Sequence, residues 1–219
     1  MLFTGDFKLR PSHAAETCTP APADVLIMET TFGLPKYVFP SDEQIESDIL
    51  AFCRDALAAG ATPVLYAYSL GKTQELVRLV GRAGLGLMLH PQSYRLTRVY
   101  EELGEKMPPY SEFDARRHPG HVVITPPGAP LLDWINPKRT AAVTGWALDS
   151  GTRYLYRADA AFPLSDHADF PQLLALVEQV RPRVVYTVHG FAREFAATLR
   201  ARGIEAWALG RGNQMELSL

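Results

Sequence analysis

Four titratable residues of this sequence stand where chemistry is easiest to build: Asp6, Glu29, His167 and His189. Asp6 closes the run Leu2-Phe3-Thr4-Gly5, Glu29 closes the apolar run Val25-Leu26-Ile27-Met28, and His189 follows Val184-Val185-Tyr186-Thr187-Val188. Ligands of open α/β sheets collect outside the carboxyl ends of strands, so groups at strand ends can meet along one sheet edge. His167 lies in Ser165-Asp166-His167-Ala168-Asp169, an imidazole between carboxylates ahead of a helix. That arrangement suits acid/base work, or metal binding with an orienting carboxylate. Plainer roles stay open for the same residues. Asp169 suits a helix N-cap, Asp166 a solvated loop, and Asp6 and Glu29 turn or helix caps.

A second feature, Gly71-Lys72-Thr73, ends like a phosphate-binding loop. Such a loop needs glycine five residues before Gly71, and Tyr66 stands there, where its side chain obstructs a backbone cradle. The segment therefore reads as a helix N-terminus near Lys72, still suited to one backbone phosphate. The isolated His13, His90, His118 and His121 lack ligand spacing and read as structural.

The elements that must position these groups alternate. Strands are expected near 24–29, 64–68, 85–89, 121–125, 140–146, 183–188 and 204–209, with helices from Ser41 to Gly60 and over about 72–80, 173–182 and 191–202. Ser41 with Gln44 three residues on predicts a capping box, and Ile45, Ile49, Phe52, Ala56 and Leu57 share a helix face. Residues 106–120, rich in proline and charge, read as a loop. Alternation of this kind argues an α/β fold. The 219 residues, 47% apolar and 21% charged, exclude a disordered chain and a small disulfide scaffold. A net charge of -2 gives no global positive field but leaves room for a local groove lined by arginine. Cys18 and Cys53 lack metal spacing and read as reduced core filler. The first ten residues lack a signal-peptide core and no run of about eighteen apolar residues occurs, so the expected localisation is cytoplasmic, with no membrane partner.

Taken together, these residues resemble the β-CASP family of metallo-β-lactamase-fold nucleases. Phe3-Thr4-Gly5-Asp6 resembles the strand whose aspartate bridges two metals, and Glu29-Thr30-Thr31-Phe32-Gly33 resembles motif A. Ser165 to Asp169 resembles motif B, and Val188-His189-Gly190 resembles motif C. The Gly-x-x-Gln-Glu helix start of Pro63 to Glu75 and Thr144-Gly145-Trp146 resemble parts of the β-CASP cap. Within the family, Leu164 to Asp169 most resembles bacterial exonucleases encoded beside ATP-dependent DNA ligases, and the related mRNA 3′-end processing factors.

The resemblance implies an αββα sandwich formed by residues 1–33 and 157–219, with a Rossmann-like β-CASP domain over 34–156 inserted in it. It implies zinc-dependent phosphodiester hydrolysis, with Asp6 and His189 as metal ligands and His167, Glu29 and Asp166 as catalytic groups. His167 then contacts the scissile phosphate and protonates the leaving oxygen. Lys72, Arg95 and Arg98 are the substrate-binding candidates, with Arg116, Arg117 and Arg139 as further candidates for phosphate contacts, and a solvated face is the plainer reading of any one of these arginines. Expected partners are single-stranded DNA or RNA, and DNA ligase and helicase pathway proteins. His189 does not separate DNA from RNA, because both groups of relatives carry histidine there. The family's His-x-His-x-Asp-His motif does not precede Thr4-Gly5-Asp6, so the expectation is a truncated chain that is inactive by itself. A non-catalytic nucleic-acid-binding or partner subunit is the alternative, and a phosphate-binding NTPase, opposed by Tyr66, is a third reading.

Overall fold

The continuous apolar runs of the sequence become parallel strands, which need long crossovers between them and so bring helices with them. The structure, a computed structural model, describes residues 1–210. In chain order its strands are β1 (Leu2–Phe3), β2 (Val25–Glu29), β3 (Thr62–Tyr66), β4 (Gly86–Leu89), β5 (Ser111–Glu112), β6 (His121–Thr125), β7 (Lys138–Val143), β8 (Ala160–Phe162), β9 (Val184–Val188) and β10 (Glu205–Ala208). Its helices are α1 (Asp42–Ala58), α2 (Lys72–Arg82), α3 (Pro91–Glu102), α4 (Thr152–Leu155), α5 (Phe170–Val180) and α6 (Ala192–Ala201). Two 3₁₀ turns span Pro130–Trp134 and Gly145–Leu148. No helix among the described residues is long and apolar enough to cross a membrane.

The chain divides into two units. The first takes Met1–Pro11, Glu16–Val38 and the residues from Asp166 onward, and the second takes Ser12–Ala15 and Phe39–Ser165. In the first unit the sheet order is β1-β2-β9-β10, all parallel. Leu26, Met28, Val185 and Ala206 are buried with Leu173, Leu176, Phe195 and Leu199 of α5 and α6. Alternate residues Val25, Ile27, Val184 and Tyr186 are only half-buried, and Trp207 is exposed. One face of this sheet is a core and the other is not.

The second unit holds the six-stranded order β5-β4-β6-β3-β7-β8, again all parallel. Here both faces are buried, with the period of two that a strand imposes. Leu65, Leu87, Val122 and Ile124 join Ile45, Ile49 and Phe52 of α1 and Leu76 and Val80 of α2, while Val64, Tyr66, Met88 and Val123 meet Ile135 on the opposite side. The Ser41 hydroxyl caps α1 by accepting from the Gln44 main-chain N–H at 3.2 Å. The reciprocal half of the expected capping box is missing, because the Gln44 amide donates forward to Asp48 at 2.8 Å. Gly60, with φ +71, ends the helix. Cys53 is fully buried in this core, which pushes its thiol pKa up to about 12, and Cys18 packs at the margin of the first unit's core.

Candidate acid/base and phosphate site

The parallel registers Phe3↔Ile27 and Glu29↔Val188 bring the carboxyl ends of β1, β2 and β9 to one edge of the four-stranded sheet. Asp6, Glu29 and His189 stand at those ends, and His167 stands in the turn before α5. Glu29 is 1% exposed. Its Oε2 accepts the Thr31 main-chain N–H at 2.7 Å, and its own N–H donates to Thr4 Oγ1 at 3.3 Å. A carboxylate this buried is held by charge or hydrogen-bond partners, and His167 supplies the charge.

His167 Nδ1 faces three oxygens: Glu29 Oε1 at 3.4 Å, Asp6 Oδ1 at 3.9 Å and Thr31 Oγ1 at 3.3 Å. The Glu29 contact is within ion-pair distance. The Glu29 carboxylate, first as a polar contact and then as a charge, raises the imidazole pKa above its ordinary value; partial burial opposes this, and Asp6 and Asp166 add to it. Phe32 meets the ring edge-on at 6.2 Å between centroids. Asp6 itself is exposed and Asp166 half-buried.

His189 is exposed and takes a left-handed backbone, φ +60, followed by Gly190 at φ +54. The turn is pinned to the one after β2: Thr30 Oγ1 donates to the carbonyls of Val188 at 3.1 Å and His189 at 2.7 Å, and Phe191 N–H donates to the Thr30 carbonyl at 3.0 Å. A Cβ on Gly190 would stand 2.4 Å from Thr31 Cα, so only glycine lets the two turns meet. A cavity of about 330 Å³ opens beside His189 and Gly190, rimmed by Arg193, Glu194 and Leu209.

Asp169 resolves to the plainer of its two roles. It is 5% exposed and caps α5, accepting from Gln172 N at 3.1 Å and Gln172 Nε2 at 3.0 Å. Lys72, Arg95 and Arg98 lie in the second unit. Lys72 is 2% exposed with Nζ 3.7 Å from Glu75 Oε2, whereas Arg95 and Arg98 are exposed on α3, Arg98 Nε 3.6 Å from Glu101. The other histidines hold structure: His13 binds Glu46 at 2.8 Å, His90 caps α3, His118 binds Thr62 at 3.0 Å, and His121 lies 3.2 Å from the Pro119 carbonyl. Tyr66, buried at the end of β3, fills the place where a phosphate loop needs space. Two site residues were not singled out from sequence, Thr4 and Thr31. The signal for Thr31 is its position two residues after Glu29, where a main-chain N–H turns back onto a strand-end carboxylate.

Among the described residues, no group of three or more His, Cys, Asp or Glu side chains is placed to hold a metal ion. Zinc takes three or four N, O or S donors, so Asp6 and His189 are an insufficient set and the described residues do not make a zinc site.

Residues 160–209 match the family model of the RMMBL domain, the Zn-dependent metallo-hydrolase RNA specificity domain. Over 222 aligned residues the chain is 54% identical to a protein of Opitutus terrae (strain DSM 11246 / JCM 15787 / PB90-1) named "Probable DNA ligase". That alignment takes in 100% of this chain and 22% of the relative, so the chain spans about a fifth of the relative's length. A solved structure of a protein of unknown function from Enterococcus faecalis V583 superposes with a TM-score of 0.60, over 95% of this chain and 56% of that one, at 12% identity. Identity that low carries the fold alone. Residues 160–209 thus carry an RMMBL domain, the RNA specificity domain of zinc-dependent metallo-hydrolases, and the parallel sheets of the chain are consistent with a β-CASP-like α/β fold.

Proposed function

We propose that this chain is the proton-transfer and strand-handling part of a metal-dependent exonuclease that hydrolyses phosphodiester bonds of DNA. The observation that carries the reading is His167, whose Nδ1 faces Glu29, Asp6 and Thr31 at 3.3–3.9 Å. With Nδ1 committed to those oxygens, Nε2 is the nitrogen that gives a proton to the leaving oxygen of a cleaved strand. Glu29 stabilises the protonated ring before transfer, and Thr31 holds Glu29 through its N–H. DNA is favoured over RNA because the 54% identical relative is named a probable DNA ligase, and the same name supports DNA ligation as the partner reaction. The half-buried outer face of the four-stranded sheet supports residues 1–33 and 157–219 as part of a metallo-β-lactamase sandwich, with 34–156 as the β-CASP domain.

The test is a chimera in which these 219 residues replace the matching segment of the Opitutus terrae protein. His167→Ala in it should lower turnover on single-stranded DNA about 10²–10⁴-fold with metal content unchanged. Unchanged turnover, or metal lost in parallel, overturns the proton-donor role, and faster cleavage of RNA of the same sequence moves the substrate to RNA. A second reading, a non-catalytic strand-binding partner, is favoured by the lack of a metal-holding group among the described residues. A chimera that binds single strands and never cleaves them supports it.

A further inference from the structure

The carboxyl edge of the six-stranded sheet carries a surface that the acid/base site does not use. Adjacent strands β3 and β7 send their chains in opposite directions: β3 leads through α2 to β4 on one side of the sheet order, and β7 leads through α4 to β8 on the other. Such a divergence is where open α/β sheets form their binding crevice. Here the crevice is a notch of about 50 Å³ lined by Tyr66, Tyr68, Pro127, Val143, Thr144 and Tyr156. It has room for a water or two, so a flat ligand lies over it rather than inside it.

The two segments that send Tyr68 and Tyr156 into the notch expose large apolar side chains next to them in sequence. Tyr68 is 67% exposed and Leu70 62%, while Tyr154 and Leu155 of α4 reach 86% and 81%. The sequence there is Arg153-Tyr154-Leu155-Tyr156-Arg157, with both arginines exposed and, among the described residues, neither in an ion pair. Tyr156 packs against the Val64, Tyr66 and Met88 face of the sheet and anchors the segment. The Thr152 hydroxyl donates to the Trp146 carbonyl, and Ala158 N–H donates to the Arg153 carbonyl at 2.9 Å, closing the turn at Arg157, whose φ is +49. The nearest carboxylate in sequence, Asp159, is engaged by the N–H and hydroxyl of Thr140 at 2.7 and 3.1 Å. A fixed turn thus presents an exposed ring between two cations, and a second exposed ring, Tyr68, lines the notch together with Tyr156 of that turn.

We propose that Arg153–Arg157 with Tyr68 forms a single-strand binding subsite, in which bases stack on Tyr154 and Tyr68 and Arg153 and Arg157 take backbone phosphates. Every base has a π-face and every linkage a charge, so this chemistry fits a single strand without regard to sequence. A protein partner would be served by the apolar rings but would leave two unpaired arginines to desolvate. The proposal rests on the reading that the chain handles a DNA strand.

The test is fluorescence anisotropy of the full chain with labelled oligo(dT). Tyr154→Ala should weaken binding about 5- to 150-fold, and Tyr154→Phe should restore it. Because Tyr154 is 86% exposed, its truncation leaves the core intact, which circular dichroism checks. Replacing both arginines by alanine should flatten the log–log salt dependence by about 1.4, or about 0.7 for each single-strand phosphate. Parent chain that binds oligo(dT) while Tyr154→Ala binds equally well overturns the subsite and leaves the proposed function standing. Parent chain that binds neither oligo(dT) nor oligo(U) overturns both.

Discussion

The two sheets of this chain are built alike and finished differently. Both are all-parallel, both present the carboxyl ends of their strands as a working edge, and each is served by helices from βα units. The four-stranded sheet dresses that edge with charge, Asp6, Glu29, His167 and His189, and leaves one face half-buried. Its six-stranded counterpart dresses it with tyrosine and buries both faces. Proton transfer needs few groups held at fixed distances, whereas strand binding needs area and stacking. The same scaffold rule supplies either one, depending on which residues end the strands.

The largest expected effect separates the two sheets by burial. Leu65, in the middle of β3, is fully buried, so Leu65→Ala should cost about 2–5 kcal/mol in chemical denaturation. Ile27, at the equivalent centre of β2, is half-buried, and Ile27→Ala should cost about 1 kcal/mol or less. Equal losses would mean that the outer face of the four-stranded sheet is as well covered as a core.

A second contrast concerns glycine. Gly190→Ala combines a left-handed backbone with overlap on Thr31 Cα and the Thr30 carbonyl, which cannot move without shifting the end of β2. Strain and overpacking together should cost about 2–4 kcal/mol. Gly84 has φ +75 with open space around it, so Gly84→Ala should cost about 1 kcal/mol of backbone strain alone. Thermal melts of the two variants check the difference, and the Gly190 variant should also lose order at His189.

How much of this was legible follows from which forces left a mark on residue type. The β2 and β6 strands were readable because they are continuous runs of β-branched and long apolar residues. Helix α3 was not, because its buried positions are Ser93 and Thr97 and no apolar stripe exists to read. Asp6, Glu29 and His167 were readable as strand-end and turn residues, and the structure gathers them around one imidazole nitrogen. Lys72 shows the opposite: its sequence context suits a phosphate, and tertiary packing buries it beside Glu75. The left-handed turn at His189 is a backbone angle, invisible in the residue itself. Exposure of Tyr154 is likewise a tertiary fact, since the same residue in a four-residue helix could equally face inward.

A gentler perturbation tests the charged edge through pH. The folded-state pKa of His167 is raised, chiefly by Glu29, so protonating it stabilises the fold. That contribution is fully present below the ordinary value of 6.5 and is lost as pH rises through the raised folded value. In chelator-treated protein, Glu29→Gln should drop the His167 pKa, read by NMR, to its ordinary value or below, because burial remains while the charge is gone. The variant should lose stability against the parent mainly at acid pH. An unchanged titration would mean that Asp6 and Asp166, not Glu29, set the ring's protonation.

The smallest expected effects come from the helix caps, and they again divide by region. Asp169 is buried at the start of α5 and grips Gln172 twice, and Gln172 Oε1 in turn accepts the N–H groups of Leu9 at 2.8 Å and Arg10 at 3.1 Å. Asp169→Ala therefore removes a cap and loosens the segment that follows Asp6, for about 1–2 kcal/mol and a chemical-shift change at Asp6. Ser41, by contrast, is exposed and caps α1 through one 3.2 Å bond, with Gln44 already turned toward Asp48. Only one orphan N–H is released in Ser41→Ala, and water can satisfy it at that exposed position. The cost should be about 0.5 kcal/mol, seen as a small fall in denaturation midpoint with unchanged slope. A loss above about 2 kcal/mol would show that Ser41 does more than cap, and would make the entry into α1 a structural joint like the one Asp169 forms in the other unit.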